Sequence, residues 1–467
     1  MTSEVATTNA DTSVPLGRRL GARLLRFSLR AIPAERHRLF ALTIIIGGVC
    51  GLIAVLFHSA IAFAEQLWIE PALHAQGKWF VIRTLLVTTL GALVSGAILH
   101  FFAPNARGSG IPQVKVAYVV KTGRLRLRDA VYKFFLSALQ IGTGSALGRE
   151  GPTVQICAGV SSALGRLFAI SPQNRRRLLP VGAAAGVAAA FNAPIAAVTF
   201  ITEEIIGDLD QTLLSGVVVA AALAAVIERS LLGSHPIFNV PRDYELQHAS
   251  SLISYALMGC AAAPFSHLFY TGMLRARAYC KSHGGRLSWA WPAVGGFSTG
   301  ALALLAFYAV GQHGVTGDGY ATLSEALRGN LPLIALLTLA CAKLLATSLC
   351  YATGGAGGLF APVLFMGAML GGSFGQLDRL IFLHNGTQLG AFALVGMGAL
   401  FAAVIRAPIT SVLIIFEMTG SYSLVLPLMI ANSAAYVLAR KLYPTPIYEA
   451  LLEQDGIHLP QPGRADV

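Results

Sequence analysis

Charge is scarce in this chain: only 12% of its 467 residues are Asp, Glu, Lys or Arg, against about a quarter in soluble globular proteins. So little charge cannot clothe a soluble domain of this size. Cysteine is sparse as well. The six present, Cys50, Cys157, Cys260, Cys280, Cys341 and Cys350, lie in or beside apolar stretches without metal-ligand spacing and read as small buried hydrophobes. There is no H-E-x-x-H zinc motif, and Gly77-Lys78-Trp79 lacks the rest of a phosphate loop. No metal and no cofactor is therefore expected. Residues 1–15 are polar and include Glu4 and Asp11, which argues against a cleavable signal peptide and leaves insertion to the first apolar span.

Apolar residues fill the place that charge leaves, at 55% of the chain and a mean hydropathy of +0.65. The blocks 39–64, 80–103, 178–206, 252–270, 331–351 and 390–416 each reach or approach the roughly 20 residues that span a bilayer as a helix. No soluble core could bury them all. The expected class is an all-α polytopic integral membrane protein. Its 49 glycines, with prolines, interrupt many of the blocks. Non-helical backbone at membrane depth must be buried in protein or line a wet cavity, so broken helices point to a transporter or channel.

The net charge of +12 suggests nucleic acid at first, but the basic residues sit between apolar blocks and read as topology signals, with no nucleic acid partner. Arg18, Arg19, Arg23, Arg26, Arg30, Arg36 and Arg38 precede the first block, and further basic gaps lie at 115–133, 166–177, 275–286 and 440–441. All five are expected on the cytoplasmic side. The gaps at 66–78, 234–249 and 313–328 carry few Lys or Arg and are expected to face outward. The resulting plan is a basic cytoplasmic segment over 1–38, which has room for an amphipathic helix on the membrane surface, a transmembrane domain over 39–451, and a short cytoplasmic tail over 452–467 with no appended soluble domain.

The chain also resembles itself. FNAPIAAVTFITEE at 191–204 aligns without gaps on IRAPITSVLIIFEM at 405–418, so that Ala193, Pro194, Ile195, Val198, Ile201 and Glu203 recur as Ala407, Pro408, Ile409, Val412, Ile415 and Glu417. Gly148, Pro152 and Gly165 recur as Gly358, Pro362 and Gly375 at nearly the same offset. Two related halves, near 39–233 and 251–443, follow. Repetition alone does not say whether they are parallel or inverted. Carriers built this way hold their substrate near the bilayer midplane.

Four places share a Gly-rich or polar break before a proline that suits a helix's first turn: GSGIP at 108–112, GREGP at 148–152, GGLFAP at 357–362 and PTPIY at 444–448. Spare N–H groups and the positive dipole end make such helix starts natural anion sites. Glycines such as Gly108, Gly110, Gly148, Gly151 and Gly358 let the backbone approach an ion closely. Ser109 and Tyr448 add hydroxyl donors. Glu150, inside GREGP, is a tethered competitor: ionised, it fills the anion seat, and protonated, it can leave. Membrane-embedded acids suggest function by default. Glu203 and Glu204 close an apolar run before Asp208 and Asp210 and read as acids where a helix meets cytoplasmic water, solvated or accepting a proton. His58, His100 and His267 read as packed or interfacial residues.

Taken together and in order, GSGIP, GREGP, FNAP with its trailing EE, GGLFAP, and RAPIT followed by FEMTG resemble the CLC family of chloride channels and chloride/proton antiporters, over about residues 39–451. The resemblance implies the CLC fold, two inverted repeat halves of tilted and broken helices, and a homodimer with an anion pathway in each subunit, in a bacterial inner membrane with both termini cytoplasmic. It implies Ser109 and Tyr448 as central-site hydroxyls, Leu359 and Phe360 as backbone N–H donors, Glu150 as the gating glutamate, and Glu204 as the internal proton-transfer glutamate of the antiporter branch. Serine at 109 implies chloride over nitrate, and GREGP looks like the chloride branch rather than the fluoride exporters. Gln113 and Lys115 depart from the family pattern, where relatives often place glutamates, which puts local salt bridges in doubt.

The expected function is thus chloride/proton antiport, with chloride, protons and the lipid bilayer as partners. A passive anion channel of the same fold is the nearest rival. A membrane-embedded hydrolase with Ser109 as nucleophile lacks a placed base, and a structural scaffold leaves a carboxylate inside a glycine-rich break unexplained. Neither suits the chain, which is not expected to be an enzyme.

Overall fold

Several helices end where a residue turns left-handed or precedes a proline, although Pro180 and Pro264 lie inside helices. The computed structural model describes residues 35–207, 211–233, 250–381 and 388–459. Arg18, Arg19, Arg23, Arg26 and Arg30, Asp208 and Asp210, the whole 234–249 gap and the end of the tail lie outside the described residues. In chain order the helices are α1 (Glu35–Ala64), extended through a π-helical turn at Glu65–Ile69 and a last turn at Glu70–Leu73, α2 (Lys78–Phe101), α3 (Ile111–Val119), α4 (Leu127–Gly142), α5 (Glu150–Leu167), α6 (Pro172–Phe191), α7 (Pro194–Phe200) with a π-helical turn at Ile201–Ile206, and α8 (Gln211–Leu232). The second half contributes α9 (Ser251–His283), α10 (Trp291–Val310), α11 (Tyr320–Leu327), α12 (Leu333–Ala352), α13 (Phe360–Ile381), α14 (Leu389–Ile405), α15 (Pro408–Thr419), α16 (Val425–Leu442) and α17 (Ile447–Gln454). Eight helical stretches among the described residues are long and apolar enough to cross a membrane. Each of the four glycine- or proline-marked breaks does precede a helix start, at α3, α5, α13 and α17.

Two apolar blocks are not single spans. The 178–206 stretch breaks after α6, where Asn192 takes a left-handed φ of 52°, and the 390–416 stretch breaks after α14, where Arg406 has φ 70°. Ala-Pro follows in both cases, and the pre-proline alanines, at φ −132° and −112°, cannot stay helical. Hydropathy alone does not register such a break. Both helices before it, α6 from Leu178 and α14 from Gly390, are buried residue after residue, so they form the protein's centre while others meet lipid.

The two halves answer each other atom for atom. Glu203 accepts hydrogen bonds from the amides of Ile409 (3.1 Å) and Thr410 (2.8 Å) at the start of α15. Glu417 accepts from Ile195 (3.1 Å) and Ala196 (2.7 Å) at the start of α7. Lys133 on α4 and Lys343 on α12 are likewise counterparts, both fully buried. The first donates to the carbonyls of Ala106 and Gly108 ahead of α3; the second donates to those of Gly314, Val315 and Gly317 ahead of α11. Lys133 is therefore not part of a cytoplasmic loop as its place in the 115–133 gap suggested. It fastens a loop from inside, a role its apolar neighbours in the sequence, Ala130, Phe134 and Phe135, were already marking.

Small residues set how closely the helices approach, as is common where lipid offers no hydrophobic drive to association. A Cβ at Gly371 of α13 would lie 2.1 Å from the carbonyl oxygen of Phe392 on α14. Gly47 and Gly51 of α1 meet Ala220 and Ala224 of α8 in the same way. Of the cysteines, Cys50, Cys157 and Cys350 are buried, Cys260 and Cys280 partly so, and Cys341 is exposed on α12, against the expectation that all six are core residues. Alanine in a helix is favoured over glycine by about 1 kcal/mol, but overpacking costs about 1–3 kcal/mol. Gly371→Ala is thus expected to lower the unfolding temperature in detergent, whereas Gly272→Ala, whose Cβ would meet nothing within 4 Å, leaves it unchanged or raises it. Equal melting of the two variants would contradict the close packing of α13 on α14.

Candidate functional site

Helices α5 and α13 begin with the same local structure, since Glu150 and Phe360 both open their helix two residues after a backbone bridge. That bridge joins Gly148 to Gly358, each amide donating to the other's carbonyl at 2.8 and 2.6 Å. Absence of side chains makes it possible. A Cβ at Gly358 would lie 3.0 Å from the amide nitrogen of Gly151, and one at Gly151 would lie 2.6 Å from the carbonyl oxygen of Ser109. The second contact brings in α3, whose start is formed by Gly110 at φ 97°, a conformation that suits only glycine well.

Glu150 is fully buried, and both its carboxylate oxygens are bound. Oε1 accepts from the Tyr320 hydroxyl at 2.9 Å, and Oε2 accepts from the Ala361 amide at 3.3 Å. The side chain of one half therefore sits on the first turn of α13 in the other, where the helix has amides to spare. Gly148 keeps that seat open, because its Cβ would come 2.4 Å from Oε2. The Arg149 guanidinium lies 5.8 Å from the centre of the Tyr320 ring. Tyr320 was not anticipated. It opens α11, the helix whose preceding loop Lys343 holds, and only that half-to-half correspondence could have pointed to it.

Ser109 is buried. Its Oγ accepts from the Ile111 amide at 3.3 Å, which leaves the hydroxyl proton free to donate elsewhere. Its own amide donates to the hydroxyl of Tyr351 at 3.3 Å, a second tyrosine that the motifs did not reveal. Tyr448, at the start of α17, is fully buried, and among the described residues its hydroxyl meets no hydrogen-bond partner of good geometry. It nevertheless lies within electrostatic reach of Ser109, Tyr351, Glu150 and Glu204. Leu359 and Phe360, both buried, stand at the cap and first position of α13, whose amides the helix itself does not use. The Phe360 ring packs among Phe191, Phe200 and Phe401. Residues from all four breaks are thus brought together, with two hydroxyls and a helix start turned to one buried place.

Of the acids after FNAP, Glu204 is buried and Glu203 half-buried. Glu203 is committed to α15 through the two amides and the Thr410 hydroxyl at 2.6 Å. Glu204, only 4% exposed in its side chain, pairs with Lys115 at 3.1 Å. Lys115 in turn pairs with Glu449 at 2.8 Å, and Gln113 donates to the Arg107 carbonyl at 3.1 Å. Lys115 is therefore an ion-pair partner rather than a loop charge. Sequence reading missed this because the two acids it joins lie 89 and 334 positions away. His58 contacts Arg149, His100 contacts Arg107, and His267 packs on Tyr443.

A family model described as "voltage gated chloride channel" matches residues 90–440. The chain belongs to the voltage-gated chloride channel (CLC) family. Among curated CLC proteins, the H(+)/Cl(-) exchange transporter ClcA of Vibrio cholerae is 33% identical over 421 residues, 88% of each chain. The protein of the same name from Citrobacter koseri is 34% identical over 420 residues, covering 87% of this chain and 86% of that one. Of solved structures, a slow cyanobacterial Cl−/H+ antiporter superposes with a TM-score of 0.81 at 27% identity, over 90% of this chain and 98% of that one. A eukaryotic CLC transporter, at 21% identity and a TM-score of 0.76 over 93% and 75% of the two chains, shares the fold. The architecture is the CLC fold, all-α with two inverted halves of broken helices, and the protein is a multi-pass integral membrane protein.

An unpartnered buried hydroxyl costs about 1–3 kcal/mol. Tyr448→Phe is accordingly expected to melt in detergent no earlier than the unaltered protein, while Tyr351→Phe, which strips the Ser109 amide of its acceptor, melts earlier. A Tyr448→Phe variant that melts well below the parent would mean its hydroxyl has a partner inside the protein.

Proposed function

We propose that this CLC protein exchanges chloride for protons across a bacterial inner membrane, as a homodimer with one anion pathway per subunit. The observation that carries the reading is the Glu150 carboxylate seated on the first turn of α13. A helix start that accepts a carboxylate accepts a halide on the same grounds. Chloride would be held by the Ser109 and Tyr448 hydroxyls and by the amides of Leu359 and Phe360, with Gly108, Gly110, Gly148, Gly151 and Gly358 leaving room for the backbone to approach. No full positive side chain is needed, which keeps binding weak enough for release.

Coupling follows from competition for that seat. Ionised, Glu150 occupies it and blocks the path; protonated, it loses the charge that the α13 amides attract and leaves to chloride. A second buried acid, Glu204, serves as the internal proton donor to the pathway, and its electrostatic contact with Tyr448 supports its placement beside the anion's route. The segment over 1–38 and the tail over 452–467 face the cytoplasm, flanking a transport domain over 39–451 whose halves lie near 39–233 and 251–443. The bacterial sources of the ClcA relatives support the membrane assigned. No cofactor takes part, and no bond is broken.

In liposomes loaded with chloride, the unaltered protein is expected to drive protons uphill as chloride moves down its gradient. Glu150→Ala abolishes that proton movement while chloride flux persists. Glu204→Gln lowers proton flux by roughly a hundredfold, the usual scale for losing a positioned proton-transfer group, and leaves chloride flux far less affected. Chloride flux with no proton movement in the unaltered protein would instead assign a passive channel.

A further inference from the structure

Proton supply to Glu204 needs a way in from water, and Glu204 itself is only 4% exposed in its side chain. Among the described residues the cation paired with it is Lys115 on α3, 13% exposed, and the acid beyond Lys115, Glu449 on α17, is 35% exposed. Exposure thus rises step by step from the buried acid to the surface acid, along contacts of 3.1 and 2.8 Å. The other groups facing this cluster are already occupied or neutral. Glu203, on the same turn as Glu204, is bound to Ile409 and Thr410; Tyr448 lies on α17 beside Glu449; and Arg277 and Lys281 of α9 are paired with Asp455 past the end of α17.

We propose that Glu449 is the cytoplasmic proton acceptor of this transporter and that Lys115 relays the proton from it to Glu204. Two carboxylates and one ammonium leave the cluster with one net negative charge, so one proton brings it to neutrality. A proton from cytoplasmic water binds Glu449 and makes the cluster neutral. The Lys115 Nζ then gives one of its protons to Glu204 Oε1 and takes the Glu449 proton in exchange. Lys115 ends as the ammonium it was, Glu449 as a carboxylate, and Glu204 as a neutral acid. Nothing but one proton has moved. Neutral Glu204 is no longer held by the ammonium's charge and is free to pass its proton toward the anion path.

The proposal rests on the exchanger reading above, and its test separates the two. Lys115→Arg keeps a cation between the acids, but a guanidinium does not give up its proton in proteins. Glu449→Gln keeps an acceptor oxygen for Lys115 but cannot carry the proton. Each variant, purified in detergent and reconstituted in liposomes, is expected to show chloride flux near that of the parent and proton flux lowered by roughly a hundredfold, with Glu449→Asp restoring most of it. A role confined to holding the fold would lower both fluxes together or neither. Lys115→Arg and Glu449→Gln proteins that keep the parent's proton-to-chloride ratio would overturn the relay. Absence of proton movement in the parent itself would overturn the exchanger reading and the relay with it.

Discussion

Two helices meet start to start at the middle of this protein, and everything built around them answers the excess of positive potential that results. The starts of α5 and α13 are locked together by the reciprocal amide-to-carbonyl bonds of Gly148 and Gly358. Each helix end carries roughly half a positive charge, and burial removes the water that would otherwise screen it. Such a place demands an anion. In the arrangement described, Glu150 meets the demand with its own carboxylate, held by a tyrosine from α11 and an amide from α13. The competition between side chain and ion is thus a consequence of backbone direction, and side-chain chemistry only decides who wins.

Buried cations are used with the same economy. Lys133 and Lys343 spend their donors on loop carbonyls, which fixes the approach to α3 and α11. Lys115 alone is set between acids. Charges removed from water need partners: Lys115 finds two carboxylates, while Lys133 and Lys343 are met by carbonyl oxygens alone. The central place itself is left to hydroxyls and amides, whose partial charges attract an anion without trapping it.

Much of this was legible in the sequence because glycine and proline leave marks that side-chain packing does not erase. The breaks at GSGIP, GREGP, GGLFAP and PTPIY could be read as helix starts, and the FNAP and RAPIT repeats exposed the kinship of the halves. Partners brought together by the fold could not be read. Tyr320 reaches Glu150 across 170 positions, and Tyr351 reaches Ser109 across 242, with no local pattern to announce either. Hydropathy erred where it averages over a window: it ran 178–206 and 390–416 through as continuous blocks, although Asn192 and Arg406 turn the chain aside in each. It also took Lys115 and Lys133 for loop charges, since a lone lysine looks the same to a composition count whether it meets water or a ring of carbonyls.

The exchange of carboxylates between the halves has a bearing on assembly. Glu203 completes the opening turn of α15, and Glu417 completes that of α7. A half on its own would hold an acid without its amides and a helix start without its cap, and both are satisfied when the counterpart arrives. The chain is for that reason made of two pieces, each of which completes the other. A translating ribosome delivers the first piece well before the second, so these caps close only after the second half has been made.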